Sequence, residues 1–188
     1  NGGNPAAPTS PGDTINYTTP VGQTPTITQT DADGGTIATT GGFQTITYDE
    51  IESITFSGDV IISGTADDDL LDIVATGTTA GSWVLTNDVD GDNGGPFVGP
   101  TVSFTTITGI TFNGLAENDE LEVNHPAGLF APTNGITFNG GTQALIGDDR
   151  ITINGPAAAV TSVTHQFDAA SVPANGNDGS ITAAITAG

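Results

Sequence analysis

The chain is predicted to be all-β, with short strands that repeat along its length. Three observations carry this. Ile-Thr-Phe-x-Gly occurs three times, at Ile54–Gly58, Ile110–Gly114 and Ile136–Gly140. Downstream of each copy comes Asp-x-(Leu/Ile)-x-(Ile/Val), at Asp69–Ile73, Asp119–Val123 and Asp149–Ile153. Between these segments β-branched residues alternate with polar ones, the period-2 signature of strands, and no apolar stripe of helical period exceeds two turns. A strand-turn-strand unit that recurs implies an architecture built by stacking.

The favoured architecture is a parallel β-helix, or β-solenoid, of about 25-residue coils. Ile110 and Ile136 lie 26 residues apart, and Ile54 and Ile110 are separated by 56, close to twice that. In such a stack like residues lie on like, so Phe56, Phe112 and Phe138 are expected to form an internal ladder, with Asn and Asp ladders at the turns. A β-sandwich is the alternative, because the chain also supplies enough alternating strands with turn signals.

Residues 1–12 are Pro, Gly, Ala and Asn without periodicity and read as a flexible arm or linker. Residues 13–188 read as the β-repeat domain. Strands are expected at Thr14–Tyr17, Thr24–Thr30, Thr36–Ala38 and Gln44–Tyr48. They resume at Ile54–Phe56, Val60–Ile62, Leu70–Val74, Trp83–Leu85 and Val102–Phe104. The last are Ile110–Phe112, Leu121–Asn124, Ile136–Phe138, Ala144–Ile146 and Ile151–Asn154. A loop is expected from Asn87 to Pro100. The segment Val163–Phe167 through Asn177–Ile181 parallels Pro25–Thr28 through Asp33–Ile37 at an offset of about 144 residues. The C-terminal part therefore reads as the beginning of a second unit. The opening Asn1-Gly2-Gly3-Asn4-Pro5 suggests a processed product.

Charge narrows the partners. There are 22 acids, 17 of them Asp, against one basic residue, Arg150, for a net charge of −21. Such a field repels nucleic acid and anionic lipid and attracts cations. Cysteine is absent, which excludes disulfide staples and thiolate metal sites. No apolar run is long enough to insert in a membrane as a helix. The lysine-free, Thr-, Asp-, Gly- and Asn-rich composition is that of secreted bacterial surface proteins, so an extracellular or cell-surface location is expected; halophilic solubility would give the same balance.

Calcium is the expected cofactor. Asp88, Asp90 and Asp92 alternate in Asn87–Gly94, a spacing that lets three carboxylates converge on one hard cation. Asn93 displaces the glycine that a calcium loop needs at its sixth position, and Gly99 replaces its terminal Glu, so further ligands must come from elsewhere. Gly64–Leu70 and Gly114–Leu121 are similar to degenerate calcium-binding nonapeptide repeats of the RTX type, which nominates Asp67, Asp69 and Asp119. The reading of these three as turn residues that cap backbone N–H groups is favoured over calcium. Asp31-Ala32-Asp33-Gly34 is a weaker candidate of the same kind. Neither His125 nor His165 belongs to a catalytic or zinc motif, and Arg150 reads as a local ion-pair partner. The chain is therefore not expected to be an enzyme, although parallel β-helices host polysaccharide-cleaving carboxylate pairs.

The order Asp-Gly-x-Ile, then Ile46–Ile54, then Asp-x-Leu-x-Ile resembles the tandem repeats of very large secreted surface proteins of planctomycete-type bacteria. The resemblance covers about residues 31–185 and implies a β-solenoid repeat protein of the cell surface or matrix, with no catalytic residues. The expected function is structural: a subunit or repeat segment of a surface filament or adhesin. Its partners would be copies of itself or adjacent repeats, end to end. A calcium-dependent module that binds surface glycans is the alternative, and a polysaccharide-acting enzyme a further one.

Overall fold

The computed structural model describes residues 12–89, 96–127, 129–142 and 149–155, together with the backbone of two further strands at 160–167 and 179–185. No helix occurs among the described residues. The strands are β1 (Thr14–Thr18), β2 (Pro25–Gln29), β3 (Gly35–Thr39), β4 (Ile46–Tyr48), β5 (Ser53–Ser63), β6 (Leu70–Ala75) and β7 (Gly81–Asn87). They continue as β8 (Phe97–Val98), β9 (Thr101–Asn113), β10 (Glu120–Asn124), β11 (Ile136–Asn139), β12 (Arg150–Asn154), β13 (Val160–Phe167) and β14 (Gly179–Ile185). The expected strand at Ala144–Ile146 and most of the proposed N-terminal arm lie outside the described residues.

The first twelve strands form one mixed sheet that does not close, in the order β12-β10-β6-β7-β9-β5-β2-β3-β4, with β1 on β5, β11 on β9 and β8 on β7. Two parallel sets dominate it. In one, β5, β9 and β11 lie side by side; in the other, β6, β10 and β12. The two sets are joined by turns that run from β5 to β6, from β9 to β10 and from β11 to β12, giving three strand-turn-strand tiers in register. Hairpins β2–β3, β3–β4, β6–β7 and β7–β8 supply the antiparallel part, together with the β7–β9 pair that joins the two sets.

Alternation along each strand decides what is buried. In β6 and β10, Leu71, Ile73, Leu121 and Val123 face inward, while Asp72 and Glu122 on the other face stay half-exposed. Ile54, Phe56, Val60, Ile62, Val102, Phe104, Ile107, Ile110 and Phe112 fill the interior from β5 and β9. Trp83 packs between Phe56 and Phe104, at 6.0 and 5.5 Å between ring centroids.

The expected aromatic ladder forms only in part. Phe112 stacks on Phe138 at 5.4 Å and 11°. Phe56 does not join them; it lies opposite Phe104. β5 presents two segments to β9, Ile54–Phe56 and Val60–Ile62, with Gly58 at φ 89° between them and a register shift on either side of it. Thr19 occupies the space beside Gly58 and bonds Ser57 O at 2.6 Å, so a side chain does not fit there. The first Ile-Thr-Phe copy aligns with Val102-Ser103-Phe104, and Val60-Ile61-Ile62 aligns with the second copy.

The tier spacing also differs from the expected even period. Asp69 and Asp119, in successive tiers, are 50 residues apart, whereas Asp119 and Asp149 are separated by 30. The longer interval contains β7, β8 and the first half of β9, which leave the stack as hairpins and return to it. Accordingly the segment expected as a loop from Asn87 to Pro100 holds β8 and the end of β7. The Asn ladders do occur: Asn139 Nδ2 donates to Asn113 Oδ1 at 2.7 Å, and Asn154 Nδ2 to Asn124 Oδ1 at 2.9 Å. The two segments that resemble each other in sequence are both antiparallel hairpins, β2–β3 and β13–β14.

Candidate functional site

Each tier turns a corner between its two strands, and the corners carry the acids. The turns run from Gly64 to Asp69, from Gly114 to Asp119 and from Gly140 to Asp149. Parallel pairing of β6, β10 and β12 sets Asp69, Asp119 and Asp149 beside one another in a column. Because they share parity with Leu71, Leu121 and Ile151, their side chains point inward. Asp69 and Asp119 are each 1 % exposed.

The column is held by backbone N–H groups. Asp69 N–H donates to Asp119 Oδ1, and Asp119 N–H to Asp149 Oδ1, both at 3.0 Å. Asp69 also accepts from the Thr65 N–H at 2.5 Å and from the Thr65 hydroxyl. One row outward, Asp68 Oδ1 accepts from Asn118 N–H at 2.7 Å. In all three turns the Asp Oδ2 lies where the glycine side chain would be, so a Cβ on Gly64, Gly114 or Gly140 would collide with a carboxylate. That collision explains the glycine that opens each of the three turns.

The second turn is built differently from the first. Leu115 and Glu117 take positive φ, 88° and 68°. Asp119 Oδ2 consequently has no counterpart of the Thr65 donors, and it is buried without a hydrogen-bond partner. Burial, above all, pushes the Asp119 carboxyl up to about 8; the carboxylates of Asp69, Asp149 and Asp68 add to the rise, and the Asp69 N–H opposes it. Asp69 rises less, to about 6, again mainly by burial, because Thr65 stabilises its charged form.

Asn87 extends the row. The pairing of Leu70 with Thr86 places it opposite Asp69 on the inward face, 1 % exposed, and its carboxamide makes no hydrogen bond. Val89 N–H donates to Asp68 O at 2.8 Å, which brings the Asp88 segment against the first turn. Asp88 of the one predicted metal set thus lies at the same corner as Asp67 and Asp69 of the other. Asp88 is buried there with φ 52°, Asp67 is half-buried with its N–H on Thr65 Oγ1, and Asp90 and Asp92 lie outside the described residues. The geometry of Asp69 and Asp119 fits the capping role.

A different acidic group suits a cation better. Carboxylate oxygens of Asp31, Asp33 and Asp49 lie within 4.8 Å of one another, all exposed. The β2–β3 turn supplies the first two, and Asp33 N–H bonds Asp31 Oδ1 at 3.2 Å. Asp49 follows β4, which the β3–β4 pairing returns to the same end. Desolvation and the neighbouring carboxylates, Asp31 first, raise the Asp33 carboxyl. Three oxygen ligands open to solvent are what a hard divalent ion with several waters takes. The local Asp31-x-Asp33 spacing was visible in the sequence; Asp49 joins only through the fold.

Compared with known proteins, the chain matches no family model, no curated sequence and no solved structure. The residues must therefore speak for themselves. His125 is buried and its Nδ1 accepts the Phe130 N–H at 3.0 Å, fixing the connection after β10. Arg150 pairs with Glu120 of the neighbouring strand, which lowers the Glu120 carboxyl and raises the guanidinium. Asp59 accepts from Thr108 Oγ1 at 2.5 Å and from Asn134 Nδ2 at 3.0 Å, tying three segments together at the surface.

Proposed function

We propose that this chain is a structural protein of the cell surface, a subunit or repeat segment of a filament or adhesin, built as a β-solenoid. The observation that carries the reading is the column of tiers. Three strand-turn-strand units repeat the same Gly and Asp positions, the second and third also share Asn, and the Asp N–H of each of the first two tiers bonds the Asp carboxylate of the next. Stacks of this kind extend by adding tiers, and their ends are templates for further strands. The acidic surface of such a polymer attracts divalent cations, which lower the repulsion of a −21 charge; Asp31, Asp33 and Asp49 are the residues best arranged to hold one.

The test is electron microscopy of the native material in calcium and after EDTA. Filaments or rods are expected, and loss of them in EDTA would make calcium part of the assembly. Single compact particles in both conditions contradict the structural reading. They would favour the second one, a calcium-dependent module for surface glycans, for which the exposed acidic triad is the supporting observation.

A further inference from the structure

Among the described residues, the third tier of the stack is uncovered. Inward residues that are covered in the first two tiers are uncovered in the third. Leu71 and Leu121 are 0 % and 2 % exposed, but Ile151 at the same position is 41 % exposed; Ile73 and Val123 are 0 % and 3 %, and Ile153 is 49 %. Ile136 and Phe138 of β11 are half-buried, whereas their partners Ile110 and Phe112 are 1 % and 0 % exposed. Beyond β11 no strand pairs among the described residues.

The opposite end of the same column is β4. Hydrogen-bonded neighbours run β4, β3, β2, β5, β9, β11. The β2–β3 and β3–β4 pairs are antiparallel and the rest parallel, so β4 and β11 have the same direction. Among the described residues β4 likewise pairs on one side only, and its Ile46 is 41 % exposed. The two edges even share a sequence, Ile46-Thr47-Tyr48 against Ile136-Thr137-Phe138.

Parallel open edges at the two ends of one column are the geometry of head-to-tail addition, a heterologous contact that does not close on itself.

We infer that the β11 edge of one copy takes the β4 edge of a second copy as its next strand, so that copies of this chain add head to tail along the column. The inference rests on the structural reading above and names the surfaces that would carry it. The register follows the existing ladder. One level runs Phe138, Phe112, Ile62, Ile27, Ile37, Ile46, and the next runs Asn139, Asn113, Ser63, Thr28, Thr36, Thr47. A straight continuation sets Ile46 of the second copy over Phe138 and Thr47 over Asn139.

Thr47 and Asn139 are exposed, and the chain has no cysteine of its own, so a disulfide can report the contact. Neighbouring strands at about 5 Å satisfy the Cα separation that a disulfide needs. Full-length Thr47→Cys and Asn139→Cys proteins are oxidised separately and as an equal mixture, at high salt to screen the acidic surface. The expected result is a covalent heterodimer in the mixture, little product from either alone, and a ladder of multimers from the double variant. Homodimers as abundant as heterodimers, or no cross-link in any sample, overturns the pairing. Wild-type filaments combined with no 47–139 cross-link in the cysteine variants would overturn it too, while leaving the structural reading in place. Intrinsic emission of Trp83, which is 2 % exposed, reports that each variant is folded.

Discussion

Asp119 is the residue on which the corner depends, and it titrates in the wrong place for a surface acid. Its Oδ1 holds the Asp69 N–H while its Oδ2 is buried with no partner. A carboxyl raised from 3.8 to about 8 is bound more favourably by the fold when protonated. The stabilisation is complete below the unfolded value near 4 and is lost as pH climbs through about 8, with Asp69 contributing the same sign up to about 6. In EDTA, the melting temperature should therefore fall between pH 5 and pH 8.5. Asp119→Asn, which keeps the acceptor and cannot ionise, should flatten the upper part of that slope; an unchanged slope would show that the column does not hold the proton. Gly114→Ala puts a methyl group into Asp119 Oδ2 and should cost about 1–3 kcal/mol in urea melts. Gly155→Ala, with open space around it, should change stability by less than about 0.5 kcal/mol. The capping role of Asp69 and Asp119 was legible in the sequence because Asp before a strand, in a turn opened by glycine, has few other uses. The orphaned oxygen was not, since it follows from the positive φ of Leu115, a residue whose type gives no hint of that conformation.

At the scale of the element, position in the stack outranks residue type. Leu121→Ala empties a fully covered site and should cost about 2–5 kcal/mol. Ile153→Ala, one tier on and half-exposed, should cost less than about 1 kcal/mol in an isolated copy. Equal losses at the two sites would mean that the third tier is covered in solution. The strands themselves were readable from period-2 alternation, and the boundaries of β2, β6, β10 and β12 agree with it to within one residue or so. What could not be read was the partner of each strand. Three copies of Ile-Thr-Phe suggested one ladder, yet the pairing of β5 with β9 sets Phe56 on Phe104 and leaves Ile62 to face Phe112. The hairpins β6–β7 and β7–β8 were equally hidden. Gly77-Thr78-Thr79-Ala80 carries little turn signal, and β8 has two residues in a segment whose glycines and acids dominate its composition.

For the whole molecule, the apparent doubling of a 26-residue period was a coincidence of two different constructions. One interval is a plain tier and the other a tier with hairpins inserted, and sequence spacing cannot distinguish them. The long-range consequence is the pair of open edges, β4 and β11, at the ends of a six-strand column. Six strands at about 4.8 Å give an axial step of about 29 Å per copy if the column continues from one molecule to the next. Repulsion of the −21 charge opposes that continuation, so assembly should strengthen with ionic strength and more steeply with divalent cations. Sedimentation across a salt series would measure this, and association that weakens as salt is raised would contradict it. The most direct measurement of the central claim is the helical rise of native filaments by cryo-electron microscopy. A rise near 29 Å with strands perpendicular to the axis is the predicted result. Strands running along the axis, or a rise unrelated to six strand spacings, would contradict head-to-tail growth of the stack.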